Sequence, residues 1–434
     1  MLSITSQYLA RYRRLDAGDG TPVLLPVTGA QRRFALVRAM DPAGRPDLVP
    51  MFFAFPRGTV DPVRLAAAAN RLAARYPVLR ARPTVLRGTP VLRLERPQVP
   101  VTRETCAPGE DAAAVLRRAL GRWAPEGSPL RLFLVPDGPE GAEGAEEVLA
   151  VVLDHSACDG QSLARLVAEL GAGYDEGPGA DGPSPADVAA ELADYREAVL
   201  RQLDAEERAG APDAMAYWGE RLRTVREQAP VARPEPLSPG APPSGSATLR
   251  MPAAPDGVPF PELLHACRAA AAVLYGAGHV VPLGYPWGGR PAGTAPVLGC
   301  FLNTVVFPTA TGEAPTPSAT AAAWWDDLDH AATPFDAVVH AARAAGSGWS
   351  GRLDGMLTVD DSRRQPPLCL GGVTGREIHV DGRAVRGPFA VSVTQGPELR
   401  LRMVWDRTVL PDRTAESAFT ALADAVRTPA PTAG

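Results

Sequence analysis

The chain has 434 residues, of which 45% are hydrophobic and 21% charged, so it can build two or three globular units with apolar cores. Its net charge of −5, with acidic and basic residues interspersed, argues against a general nucleic-acid binder, which would carry a basic surplus. No apolar run is long enough to span a bilayer and no signal-like core follows the first arginines, so we expect a cytoplasmic protein with no membrane partner.

The reactive residue types narrow the chemistry further. The sequence contains no lysine, which excludes a Schiff-base lysine and the lysine of a phosphate-binding loop. Its five cysteines are scattered and form no C-x-x-C pair, so we expect neither a disulfide framework nor a metal site. A reducing compartment fits this pattern.

Start and turn signals predict the elements of the first half. Thr28-Gly29-Ala30-Gln31 is a capping-box pattern that opens a helix through about residue 40. Asp61-Pro62 joins an N-cap to a first-turn proline and opens a second helix that ends near residue 77. A hairpin is predicted at 84–94, around Arg87-Gly88-Thr89, and two strands follow at 130–135 and 148–153.

The loop at 154–160, Asp-His-Ser-Ala-Cys-Asp-Gly, follows the apolar run 148–153 and precedes a helical pattern. A buried strand can hold such a loop rigidly, and an imidazole titrates near neutral pH, so His155 is a candidate general base. A polar loop after a strand also often carries His and Asp for turn chemistry alone. The loop by itself therefore leaves both interpretations open.

Proline and glycine mark the division of the chain. Six prolines interrupt residues 229–246, which makes this stretch the predicted linker between an N-terminal lobe at 1–228 and a C-terminal lobe at 247–434. The pattern before it predicts long helices at 185–207 and 212–225. After it we expect helices at 261–276, across most of 324–343 and at 413–427, strands at 280–285, 304–307 and 399–405, and a hairpin at 380–383.

Six motifs in chain order resemble the condensation-domain branch of the chloramphenicol-acetyltransferase-like superfamily, whose members transfer acyl groups in nonribosomal peptide assembly lines, including those for antibiotics. They lie at residues 25–31, 75–80, 129–132, 154–160 (the family's H-H-x-x-x-D-G), 217–218, and 289–291 with 299–304. The resemblance covers about residues 22 to 427. It implies an α/β (α+β) fold with two chloramphenicol-acetyltransferase-like lobes that form a V around a central tunnel.

The resemblance also implies roles for individual residues. His155 matches the essential histidine that deprotonates or orients the attacking amine or hydroxyl. Asp159 matches an aspartate that points away from the substrate and pairs with an arginine, here Arg290. Gly160 matches a small residue near the substrate arm. Two residues are expected to support the tunnel or the lobe interface, namely Asn303 and Arg80.

Asp154 departs from the family, most of which has a first, structural histidine at that position. With Asp159 and Ser162 it spells D-x-x-x-x-D-x-x-S, which resembles the heterocyclisation branch of the superfamily. That branch lacks the second histidine, whereas His155 is present here. The pattern therefore favours ordinary acyl transfer, with Asp154 as structural support of the site.

These observations predict a free-standing condensation enzyme, since no carrier, adenylation or thioesterase region fits within 434 residues. It would join an acyl or aminoacyl thioester, held on the phosphopantetheine arm of a carrier protein in trans, to an amine or hydroxyl acceptor. No bound cofactor is expected. The alternatives are an acyl-CoA donor, heterocyclisation, and a non-catalytic domain that recruits a partner to an assembly line.

Overall fold

The computed structural model describes residues 3–16, 23–40, 45–107, 109–124, 126–138, 144–253, 257–312 and 316–427. Contacts divide the chain into two compact units: unit 1 comprises 1–207, 289–302 and 365–380, and unit 2 comprises 208–288, 303–364 and 381–434. The boundaries of these units differ from those of the predicted lobes at 1–228 and 247–434. Two segments that follow the proline-rich stretch in sequence belong to unit 1, because their hydrogen bonds are made there.

Unit 1 takes its helices and strands from residues 1–207 and 365–380. Its helices are α1 (Ile4–Asp16), α2 (Gly29–Met40), α3 (Pro62–Arg75), α4 (Ala112–Gly121), α5 (Gly160–Glu176) and most of α6 (Pro185–Ala209). Its strands are β1 (Leu24–Leu25), β2 (Leu48–Pro56), β3 (Ala81–Leu86), β4 (Thr89–Leu94), β5 (Val101–Arg103), β6 (Leu130–Asp137), β7 (Glu146–Asp154), β12 (Cys369–Leu370), β13 (Val373–Thr374) and β14 (Arg376–Ile378).

Strand β7 is the centre of the main sheet of unit 1, whose order is β14-β2-β7-β6-β5. It pairs antiparallel with β2 over residues 146–154 and with β6 over residues 146–153. Side chains alternate between the two faces: Leu149 and Val151 join one apolar core, and Ala150 and Val152 join another. Apolar cores cover both faces of this strand, which accounts for the continuous apolar run in its sequence. The same packing holds the end of the strand in place.

The local signals of unit 1 behave as predicted. The N–H of Thr28 donates to the side chain of Gln31 and the N–H of Gln31 to the hydroxyl of Thr28, so the capping box is formed. Asp61 caps α3. The turn between β3 and β4 has positive φ at both Arg87 and Gly88, as a two-residue hairpin turn requires.

Unit 2 has one mixed sheet and its own apolar core. Its helices are α7 (Pro212–Arg221), α8 (Phe260–Tyr275), α9 (Pro317–Asp329), α10 (Phe335–Ala344) and α11 (Asp412–Arg427). Its strands are β8 (Ser244–Pro252), β9 (Val280–Gly288), β10 (Leu302–Ala310), β11 (Gly355–Asp361), β15 (Phe389–Gln395) and β16 (Glu398–Asp406), in the order β10-β9-β11-β15-β16-β8.

Residues 324–343 are mostly helical, as predicted, but belong to two helices, because α9 ends at Asp329 and α10 begins after its N-cap residue Pro334. Two other predictions for the second half need correction. The hairpin at 380–383 is wrong, since the flanking strands β14 and β15 belong to different sheets. The linker is shorter than predicted, because β8 already begins at Ser244. No helix within the described ranges has the length and hydropathy to cross a membrane.

Candidate active site

The 154–160 loop connects the central strand to a helix. Strand β7 ends at Asp154, a 3-10 turn covers His155–Ala157, and α5 begins at Gly160. The N–H of His155 donates to the carbonyl of Asp47 at 2.9 Å, which ties the loop to the start of β2. The histidine is therefore fixed at the end of a fully paired strand.

The imidazole of His155 is held by packing against helix α2. Its ring stacks on that of Phe34, with centroids 4.9 Å apart and an interplanar angle of 29°. Its Nδ1 is buried and, within the part of the chain that the structure describes, has no hydrogen-bond partner. The ring's orientation thus depends on the aromatic contact and on the backbone of the loop.

Asp159 and Arg290 lie together in a buried polar cluster of unit 1. The carboxylate of Asp159 is 1% exposed and accepts from Nη1 of Arg290 at 2.8 Å and from the N–H of Phe301 at 3.0 Å. It also caps α5 by accepting from the N–H of Ser162. Each oxygen of this buried charge is matched by donors, so the carboxylate is committed to holding the loop.

The same arginine binds the segment that carries it. Nε of Arg290 donates to the carbonyl of Val297, and Nη2 reaches the hydroxyl of Ser162 and the carbonyl of Gly299. The Ser162 hydroxyl also accepts from the N–H of Gly299. The serine of the D-x-x-x-x-D-x-x-S pattern, Ser162, therefore helps to hold the loop in place.

Asp154 has partners that the sequence pattern did not reveal. Its carboxylate is 3% exposed and accepts from Nη2 of Arg38 at 2.7 Å. The other oxygen accepts from the N–H and the hydroxyl of Ser156. Arg38 and Phe34 were both missed as site residues. The available signal was physical: an acid placed at the end of a buried strand needs a cation nearby.

The remaining predicted residues are placed less centrally. Gly160 is exposed, and a side chain there would meet nothing within 4 Å. Arg80 lies at the base of the β3–β4 hairpin, where burial lowers the pKa of its guanidinium and Nη1 reaches the carbonyl of Glu95. Asn303 belongs to unit 2 and bonds the backbone of the α9–α10 connection at Ala331, Thr333 and Phe335.

The loop gives little support to catalysis by a thiol or by a metal ion. Burial raises the pKa of the Cys158 thiol well above its ordinary value, which suppresses the reactive thiolate. No group of His, Cys, Asp and Glu in the described ranges is arranged to hold a metal ion. The imidazole of His155 is thus the group of this loop best suited to proton transfer.

Solved structures of condensation domains share this architecture. The first condensation domain of the calcium-dependent antibiotic synthetase, in complex with a substrate analogue, matches with a TM-score of 0.72 at 18% identity, over 94% of this chain and 98% of that one. The starter condensation domain of the rhizomide synthetase RzmA, as a double mutant, matches with a TM-score of 0.66 at 17% identity, over 94% and 97%. The chain has the condensation-domain fold.

The X-domain from teicoplanin biosynthesis shares this condensation-domain fold, with a TM-score of 0.69 at 19% identity over 94% of this chain and 96% of that one. No model of a known protein family matches the chain. Among curated proteins, the probable non-canonical nonribosomal peptide synthetase CymA of Salinispora arenicola (strain CNS-205) is 28% identical over 341 residues. The aligned part is 66% of this chain and 4% of that protein's length.

Proposed function

We propose that this chain is a condensation-type acyltransferase in natural-product biosynthesis. The donor is an acyl or aminoacyl thioester on the phosphopantetheine arm of a carrier protein, and the acceptor is an amine or hydroxyl. One observation carries the proposal: His155 lies at the end of β7, on a loop held by the Asp159–Arg290 pair, in a chain with the condensation-domain fold.

The reaction needs one proton transfer that an imidazole can perform. The acceptor's nitrogen or oxygen attacks the thioester carbonyl carbon while His155 takes its proton. The new C–N or C–O bond forms, the C–S bond breaks, and the proton passes to the departing sulfur. The products are an amide or ester and the free phosphopantetheine thiol.

Asp159 and Arg290 contribute by fixing the loop. Both oxygens of the carboxylate lie within 3.0 Å of donors from α5 and from the 289–302 segment. A displacement of about 1 Å at a catalytic group can lower a rate about 100-fold, so a rigid loop has a direct effect on turnover.

A second candidate function is recruitment of a partner protein. One of the structural relatives is the teicoplanin X-domain in complex with OxyB, with a TM-score of 0.67 at 19% identity. That complex supports docking as a use of this fold. In a docking domain the imidazole of His155 would have no effect on binding or on turnover of the partner.

The test is discharge of loaded carriers. Carrier proteins bearing acyl or aminoacyl groups are incubated with the chain and with amine or alcohol acceptors, and an acyl-CoA arm runs in parallel. Intact-mass spectrometry follows loss of the acyl group and gain of product. We expect His155→Ala to lower the rate by about 100-fold or more, the range of general base catalysis.

The matched control is His330→Ala. His330 stacks on Tyr217 in unit 2, with ring centroids 4.2 Å apart, so its removal tests loss of a packed histidine elsewhere. Equal rates for His155→Ala and the wild type would contradict the proposal. Faster transfer from acyl-CoA than from every loaded carrier would replace the carrier by CoA as the donor.

A further inference from the structure

Helix α2 contacts the 154–160 loop at three consecutive turns. Gln31 donates from Nε2 to the carbonyl of Ser156 at 2.8 Å. Phe34 stacks on the ring of His155, and Arg38 binds the carboxylate of Asp154. Positions i, i+3 and i+7 share one face of a helix, so a single face of α2 meets three successive residues of the loop.

These contacts hold the residues on both sides of His155. The side chain of Asp154 is bound to the last turn of α2, and the main-chain carbonyl of Ser156 is bound to the first turn. Asp154 also accepts from the N–H of Ser156 at 3.0 Å, so the residues on either side of His155 are joined to each other. The backbone of His155 is therefore held from both sides, and the Phe34 contact holds its ring.

The Arg38–Asp154 pair is the charged part of the arrangement. The aspartate side chain is 4% exposed and the arginine 23%. A carboxylate this buried strongly favours a position against its cation, because leaving it unpaired is costly. The cation therefore selects one position for the end of β7 and the start of the 3-10 turn.

We propose that Arg38 is a positioning residue for His155, acting through Asp154. The proposal rests on the proposed function, since it assigns Arg38 a role in turnover. It also accounts for the departure at Asp154, since the acid and its arginine together orient the imidazole.

The test compares substitutions that separate positioning from stability. Arg38→Met strands the buried charge of Asp154 and is expected to destabilise the chain. The double variant Arg38→Met/Asp154→Asn strands no charge and keeps an acceptor for Ser156, so it should fold. We expect both to lower kcat about tenfold or more with donor KM unchanged, and Arg38→Lys to restore most of kcat, because a cation again meets the carboxylate.

A matched pair at the other end of β7 controls for general effects. Arg103 lies 3.4 Å from Glu147, whose side chain is fully buried. Asp154 lies seven positions after Glu147, about 23 Å along a strand. Arg103→Met/Glu147→Gln removes another pair of an arginine with a buried carboxylate of β7 and should leave kcat at the wild-type value.

Two kinetic outcomes overturn the proposal: wild-type kcat in the folded double variant at Arg38 and Asp154, or equal kcat in Arg38→Met and Arg38→Lys. NMR of the histidine ring protons separates this from failure of the proposed function. Even if the wild type transfers no acyl group, the His155 ring signals should be sharp in the wild type and in the Arg103 control. They should broaden in the Arg38→Met/Asp154→Asn variant, and sharp signals there would also overturn the proposal.

Discussion

Each unit contains a buried aspartate paired with an arginine, and the two clusters differ in what they hold. In unit 1, Asp159 binds Arg290 and the N–H groups of α5 and of the 289–302 segment. In unit 2, Asp327 is fully buried and accepts from Arg221 at 2.8 and 3.0 Å. A tyrosine hydroxyl of α7 completes the second cluster.

The comparison shows that a buried Asp–Arg pair is not by itself evidence of a catalytic site. The donors to Asp327 that we describe are side chains of α7, so that pair fastens one helix to another. The donors to Asp159 include backbone groups on both sides of the loop that follows β7. The position of the first pair beside His155 is what gives it functional weight.

The largest expected effect comes from removing each aspartate. Asp159→Ala strands Arg290 and should lower the free energy of unfolding by about 3 to 5 kcal/mol. The loosened loop should also lower kcat about 100-fold. Asp327→Ala should have a similar cost in stability but leave kcat of the folded protein near the wild-type value. Chemical denaturation and the carrier-discharge assay measure the two quantities.

A smaller effect is expected from replacing each arginine by lysine. Arg290 donates to Asp159, Val297, Ser162 and Gly299, a pattern that an ammonium cannot reproduce. Arg290→Lys should lose about 2 kcal/mol of stability and about tenfold in kcat. Arg221→Lys should lose stability alone. An equal loss of kcat in both variants would contradict the distinction between the clusters.

A third buried aspartate, Asp354, tests how a paired arginine affects the pKa of a buried carboxylate. We expect the smallest of the effects here. Asp354 is 5% exposed, and one of its oxygens has no hydrogen-bond partner in the described part of the chain. Burial, opposed by a backbone bond from Gln228 and reinforced by the charge of Glu227, raises its pKa to about 7. Burial also raises the pKa of Asp327, but there Arg221 opposes the rise.

The sign of the pH effect follows from the raised pKa. The unfolded chain releases the Asp354 proton near pH 4, whereas the folded chain keeps it until about pH 7. The stability contributed by this group is therefore lost as the pH rises from about 4 to about 7. Asp354→Asn should remove most of that decline, as measured by denaturation at several pH values. An unchanged pH profile in the variant would show that Asp354 titrates normally.

Local signals predicted much of the fold. The capping box at Thr28, the cap at Asp61 and the hairpin turn at Arg87-Gly88 depend on neighbouring residues, so the sequence contains the relevant information. The loop after β7 was predicted from the apolar run before it. The matching of motifs in order also predicted that Arg290 meets Asp159, although 131 residues separate them.

Features that depend on distant packing were not predictable in the same way. Phe34 and Arg38 have no sequence mark that links them to the loop, because their contacts arise from how α2 lies against the end of β7. The return of residues 365–380 to unit 1 depends on β14 pairing with β2, a contact between strands more than 300 positions apart. The local turn signal at 380–383 could not reveal that its neighbours join different sheets.

The return of residues 289–302 to unit 1 has a consequence for biosynthesis of the chain. When Asp159 is added to the nascent chain, its arginine is still 131 residues away from being made. At synthesis rates of about 5 to 20 residues per second, the delay is on the order of ten seconds. During that interval the loop bearing His155 lacks its buried counter-charge. The nascent N-terminal part must therefore wait for the second half of the chain before this loop can reach its final state.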